Sequence, residues 1–209
     1  LIILLIGDGA LLRQYACTLI NTGYDKRIEP MFNEEKSKLI RNTELAALGM
    51  DEINKRFPLG ALNRKDVVAT LPAEVYKEQL LLLFTIRNMI RDKDFKADHL
   101  FQFLQAAQCG EMTFFAVCRI EEACPEAKVE AVSLKHHEMV VIGRKKNSDP
   151  KNILTWGKNA VICDPWAKMS YMATSFFKVR DETPHIPFFV KEGEEIQEHF
   201  LAGNPSIIS

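Results

Sequence analysis

No run of like charge marks this chain: 27 lysine and arginine residues face 28 aspartate and glutamate residues, for a formal net charge of −1. Composition therefore gives no footprint for a nucleic acid or an anionic membrane as partner. A membrane-length apolar run is missing too. The longest candidate, Leu1 to Ile6, is broken at once by Gly7-Asp8-Gly9, too short to span a bilayer and without the basic start of a signal peptide. It reads as a buried strand or helix turn. The chain opens on Leu1 and not Met, which leaves room ahead of it for a targeting segment. Paired cysteines are lacking: Cys17, Cys109, Cys118, Cys124 and Cys163 are odd in number, with no CxxC and no histidine at zinc-finger spacing. That pattern argues against a disulfide framework and fits free thiols in a reducing compartment, most of them small buried apolar residues. There is no internal repeat and no low-complexity segment.

What is present is ordinary core material. With 209 residues, 47% of them hydrophobic, the chain can bury a substantial core as one domain or a closely joined pair. The first half carries helical periodicity, clearest from Pro72 to Arg91, where Val75, Leu80, Leu83, Phe84, Ile86, Met89 and Ile90 recur at three- and four-residue steps behind a proline suited to a first turn. A second apolar-periodic stretch runs from Asp98 to Ala107, and a third helix is expected from Gly110 to about Ala123, with Pro125 beyond its end. After Pro125 the pattern turns extended. Lys128 to Leu134, His137 to Ile142 and Ala160 to Cys163 read as strands, the last two antiparallel across the polar connection Gly143 to Pro150. The tail holds Thr183-Pro184-His185-Ile186-Pro187 and then a short charged helix from Glu192 to Leu201. The expected architecture is α+β: a helical N-terminal region, residues 1–95, packed on a core of residues 96–209 built around a small antiparallel sheet.

Three side chains in this order can do chemistry together. Cys109 stands at a helix start, where unpaired backbone N–H groups and the helix dipole favour a thiolate. His137 opens a strand, and a period of two puts it on the face of Met139 and Val141, the face a covering helix is expected to meet, with His136 pointing the other way. Asp164 ends the strand before Pro165-Trp166, placed to accept a hydrogen bond from the imidazole and fix its orientation. Trp166 could shield that contact from water. A tetrahedral oxyanion would be met by Cys109 N–H and by one of Gln102, Gln105 and Gln108, among which the sequence does not choose.

Cys109-Gly110-Glu111-Met112, His137 leading into Met139-Val140-Val141-Ile142-Gly143-Arg144, and Ala160-Val161-Ile162-Cys163-Asp164-Pro165-Trp166 resemble the Cys-His-Asp enzymes among bacterial secreted effectors, particularly Legionella-type effectors of papain- or transglutaminase-like fold. The resemblance covers roughly Gln105 to Ala173. It implies Cys109 as nucleophile, His137 as general base and Asp164 as orienting acid, with no cofactor. It further implies a host protein as substrate after secretion into the host cell, and protease, deamidase or transglutaminase activity. The short Cys-to-His distance departs from true papain proteases and weighs against a generic endopeptidase.

Two other readings stand beside this one. In a non-enzymatic interaction module, the helices from Pro72 to Ala107 would present a partner surface and Cys109, His137 and Asp164 would be structural. A metal site from His136, His137, Cys163 and Asp164 has the right ligand types, but adjacent strand residues point to opposite faces and do not converge.

Overall fold

The structure, a computed structural model, describes residues 30–91, 101–134, 137–182 and 198–201. Its first element, α1 (Pro30–Arg56), buries Leu45, Ala46 and Ile53 on one stripe. Gly49 lies in that stripe for want of room: a Cβ there would stand 2.9 Å from Ile120 Cδ1 and 3.6 Å from Cys163 Sγ. After a two-residue strand β1 (Gly60–Ala61) come α2 (Lys65–Thr70) and α3 (Ala73–Arg91). Pro72 precedes α3 and its carbonyl accepts from Tyr76 N–H at 3.0 Å, so proline sits where its missing donor does no harm.

β2 (Ala106–Ala107) pairs in parallel with β1, Gly60 opposite Ala106 and Ala61 opposite Ala107. The helix expected over 98–107 therefore does not reach its end; residues 98–100 lie outside the described residues. Alanine prefers helix, but tertiary partners override the preference here. Gln79 Oε1 on α3 accepts from Gln105 N–H at 2.7 Å and Ala106 N–H at 3.3 Å, and the Arg56 guanidinium holds the carbonyls of Phe101 and Leu104. Only small side chains fit: Ala106 and Ala107 are sealed in the interior.

Next comes α4 (Cys109–Ala123), then the strands β3 (Val129–Leu134), β4 (His137–Ile142), β5 (Val161–Asp164) and β6 (Met169–Met172), the short helix α5 (Phe176–Glu182) and β7 (Glu198–Leu201). The sheet order is β6-β5-β4-β3-β7, with every pairing antiparallel. The expected order of helix and three strands is present. β6 is additional, and Glu198 to Leu201 is strand where a helix was expected, because it pairs along β3; residues 192–197 of that stretch and the Leu1 to Ile6 opening fall outside the described residues. The fold is mixed helix and sheet of the α+β kind. No helix among the described residues is long and apolar enough to cross a membrane.

The sheet has a core on each face. On one, α1 and α4 cover Ala131, Val140, Ile142, Val161 and Cys163 with Met112, Phe115, Ala116 and Ile120. On the other, Val132, Met139, Val141 and Ile162 pack with Trp156 and Phe176. This corrects the expected facing of β4: α4 meets Val140 and Ile142, whereas Met139 and Val141 look away from it.

Gly143 closes β4 at φ +72°, and a Cβ there would fall 2.0 Å from Asn42 Nδ2, the atom that donates to Asn159 O at 2.7 Å and docks α1 against the loop before β5. Gly143→Ala meets both a left-handed backbone and this hydrogen bond, and is expected to lower unfolding free energy by about 2–4 kcal/mol. Urea denaturation measures it; a change under about 0.5 kcal/mol would show that Asn42 moves aside freely.

Candidate active site

Cys109 is the first residue of α4, and the helix start is fixed from outside the sheet. Gln108 and Glu111 form a capping box, with Gln108 N–H donating to Glu111 Oε2 at 3.2 Å. Arg87 on α3 braces both: its Nε donates to Glu111 Oε1 at 2.7 Å and its Nη2 to Gln108 Oε1 at 3.0 Å. Glu111 is nearly buried, so its charge requires this partner. Below the helix start lies Glu138 of β4, whose carboxylate would be 3.4 Å from a Cβ on Gly110. Glycine keeps that approach open.

His137 is the first residue of β4. Its Nε2 is 2.7 Å from Asp164 Oδ2, with the histidine 3% and the aspartate 0% exposed. An ionised carboxylate only accepts, so Nε2 carries the proton. The Cys109 side chain lies close enough to the ring to help hold its charge. The three residues singled out from the sequence are thus brought together. His137 does this from the rim of the sheet and not from beneath the helix: its strand begins at the end where α4 begins.

Asp164 divides its oxygens between two tasks. Oδ2 meets the imidazole, while Oδ1 accepts Ala167 N–H at 2.9 Å, closing the turn in which Lys168 takes φ 57° and the chain enters β6. The carboxylate that closes the turn is also the one that holds the imidazole. Trp166 sits in that turn, 4% exposed, its ring edge-on to His137 at 5.2 Å between centroids. Trp166 is anchored by residues the sequence reading missed. Its Nε1 donates to Asn63 Oδ1 at 2.7 Å, its carbonyl accepts from Arg64 Nη1 at 2.8 Å, and the Arg64 guanidinium lies 5.4 Å from the ring centroid.

Of the three glutamines named for the oxyanion, Gln102 and Gln105 are exposed, and Gln108 is the one beside the thiol, with its carbonyl oxygen held by Arg87. Of the other described thiols, Cys118 is half-buried like Cys109, and two are buried. Cys163 is sealed against Ala46 O and its pKa is driven far up by burial and by the neighbouring Asp164 charge. Cys124 is buried beside Arg41. Cys109 is half-buried. Among the described residues no group of three or more His, Cys, Asp and Glu side chains is placed to hold a metal ion; His136 lies outside them.

Burial alone would lower the pKa of His137; the Asp164 charge and hydrogen bond, with smaller help from Cys109, outweigh it and raise the value from 6.5 to about 10. Since the folded value exceeds the ordinary one, the stabilisation is complete below pH 6.5 and is lost as pH rises through about 10. Nitrogen-15 NMR of the imidazole is expected to show both nitrogens protonated at pH 8, and Asp164→Asn to bring its titration from about 10 back to the ordinary 6.5 or below. A neutral ring at pH 8 in the unaltered protein would contradict this balance of forces. Comparison of the chain with protein-family models, with curated proteins and with solved structures finds no match in any of the three.

Proposed function

We propose that this protein is a cysteine-nucleophile acyl-transfer enzyme, with Cys109 attacking a carbonyl, His137 handling the proton and Asp164 holding the imidazole. The observation that carries the reading is the buried imidazole bound at Nε2 by a carboxylate and engaged with a half-buried thiol at a helix start. A purely structural cluster has no need of a thiol at that position.

The chemistry follows from the parts. With the imidazole already holding its second proton, sulfur attacks the carbonyl carbon as a thiolate beside the imidazolium, and the carbonyl electron pair moves to oxygen. When the tetrahedral intermediate collapses, the carbon–nitrogen bond breaks and the imidazolium returns the proton to the departing amine, leaving a thioester. A second nucleophile, activated by the same imidazole, then attacks. Water gives an acid, so that a peptide is cleaved or a glutamine side chain deamidated; a primary amine gives a new amide. Asp164 never needs to take up a proton. It keeps Nε2–H oriented and offsets the imidazolium charge.

A papain- or transglutaminase-like core belongs to the same proposal, since a helix bearing the thiol at its start, laid on an antiparallel sheet bearing base and acid, is what that kinship leads one to expect. The likeness of the three segments around Cys109, His137 and Asp164 to bacterial effectors also supports a host protein as substrate, reached after secretion into the host cell.

Iodoacetamide near neutral pH is expected to alkylate Cys109 at least about tenfold faster than Cys118, Cys124 or Cys163, with the preference lost in His137→Ala. Equal labelling of all four thiols would favour the interaction-module reading. Asp164→Asn is expected to stay folded and to lose about 10³–10⁴-fold in turnover; full activity would remove Asp164 from the site. Intact-mass analysis of candidate host proteins after incubation separates the outcomes: deamidation adds roughly one dalton, proteolysis yields fragments and transfer yields a conjugate.

A further inference from the structure

Attack on a carbonyl places negative charge on its oxygen, and a site for that reaction needs donors aimed where the charge develops. The backbone N–H of Cys109 is one, because the first N–H groups of a helix have no intrahelical partner. The second must come from a side chain on the same side of the backbone as the sulfur. Gln108 is poorly placed for this. Its side chain is taken up in the capping box of α4 and is drawn toward Arg87 on α3, away from His137.

Two independent observations lead instead to Asn63. The first is register. β1 runs parallel to β2 with Ala61 opposite Ala107, and Leu62 N–H continues the ladder to Ala107 O at 2.7 Å. That bond sets the turn over 61–64, closed by Arg64 N–H on Ala61 O at 3.0 Å, beside the residues that lead into Cys109, so Asn63 stands next to the helix start. The second is Trp166. Its ring packs against His137 and its indole N–H, which can only donate, meets the Asn63 side chain at 2.7 Å. The atom facing it must be Oδ1. The amide orientation is thereby fixed, and Nδ2, with its two protons, is the end left over. Among the described residues Nδ2 makes no hydrogen bond, and Asn63 is half-exposed.

We propose that the Asn63 side-chain amide is the second donor of an oxyanion hole, receiving with Cys109 N–H the carbonyl oxygen of an acyl substrate. This rests on Cys109 being the nucleophile and narrows the substrates to those that pass through a tetrahedral oxyanion, amides, thioesters and esters, as against electrophiles attacked at saturated carbon. Trp166 then has two tasks: its ring covers the His137–Asp164 pair, and its N–H aims the Asn63 amide.

The test compares two reactions of the same sulfur. Acylation by p-nitrophenyl acetate passes through an oxyanion; alkylation by iodoacetamide does not. In Asn63→Ala the ratio of acylation to alkylation rate at Cys109 is expected to fall about 10²-fold or more, with alkylation itself within about threefold of the unaltered protein. Asn63→Asp retains an acceptor for the Trp166 indole and lacks the donor, so it guards against loss of folding and is expected to lower the ratio at least as much. An unchanged ratio in both variants overturns the proposal. So does an equal loss in the two reactions, which would make Asn63 only a prop for Trp166. If the unaltered protein shows no preference for Cys109 with either reagent, the nucleophile assignment itself fails, a result separable from any effect of Asn63.

Discussion

The hydrogen-bonded contact between His137 and Asp164 is the interaction around which this end of the molecule is arranged. Two ionisable groups this deeply buried stay charged only because each compensates the other. Removing one partner of such a pair typically costs about 3–5 kcal/mol, since the survivor is left buried with an uncompensated charge. For His137 the outcome of the contest is visible in its direction: burial pulls the imidazole toward neutrality, the carboxylate holds it charged, and the carboxylate wins. A hydrophobic pair of the same size would be at least as stable. An ion pair at the rim of the sheet is thus not explained by its contribution to folding alone, which is why the proposed reading gives it a chemical task.

The rest of the surroundings limits the freedom of these groups. The approach to Cys109 has little backbone pairing of its own, β2 being two residues long, so long side chains from two helices take over its polar groups: Arg56 from α1, Gln79 and Arg87 from α3. The charge-assisted ones, from Arg56 and Arg87, contribute about 1.5–3 kcal/mol each when well made and shielded from water, and the neutral ones from Gln79 about 0.5–1.5. They hold the thiol on a helix whose start is bound to α3 while its body packs on the sheet. Across the site, Arg64 and Asn63 hold the Trp166 turn. Cys109 and His137 therefore rest on separate supports, both tied back to the helical segment ahead of α4.

Much of this was legible in the residues. The change from a helical to an extended period after Pro125 locates α4, β3, β4 and β5, because each has one buried face whose spacing follows its geometry. Cys109, His137 and Asp164 could be singled out because each stands at the end of such an element. The facing of β4 was misread: alternation tells which residues share a face but not which face receives the helix, and both faces of this sheet carry apolar cores. β2 escaped notice because two alanines hold no strand signal and pair only through a distant segment. Asn63, Arg64 and Arg87 escaped for the same reason. Polar residues in turns and on half-exposed helix faces look alike in sequence whether they face water or brace a site, and only the register of β1 on β2 brings Asn63 to Cys109.

Chain length explains how a compact stretch can close the site. α4 has 15 residues and at 1.5 Å per residue carries the chain about 22 Å from Cys109. β3 has six residues and at about 3.4 Å per residue returns it by about 20 Å. The two excursions nearly cancel, so the hairpin that opens β4, with Leu134 opposite His137, lies back at the start of the helix. β4 and β5 then repeat the trip in antiparallel register, delivering Asp164 to the same end. A longer insertion between Cys109 and His137 is unnecessary for catalysis; it would be needed only to build a second wall for a bound polypeptide. Among the described residues, β1 with the Asn63–Arg64 turn stands beside Cys109 and is tied to Trp166, placing chain from ahead of α4 next to the site.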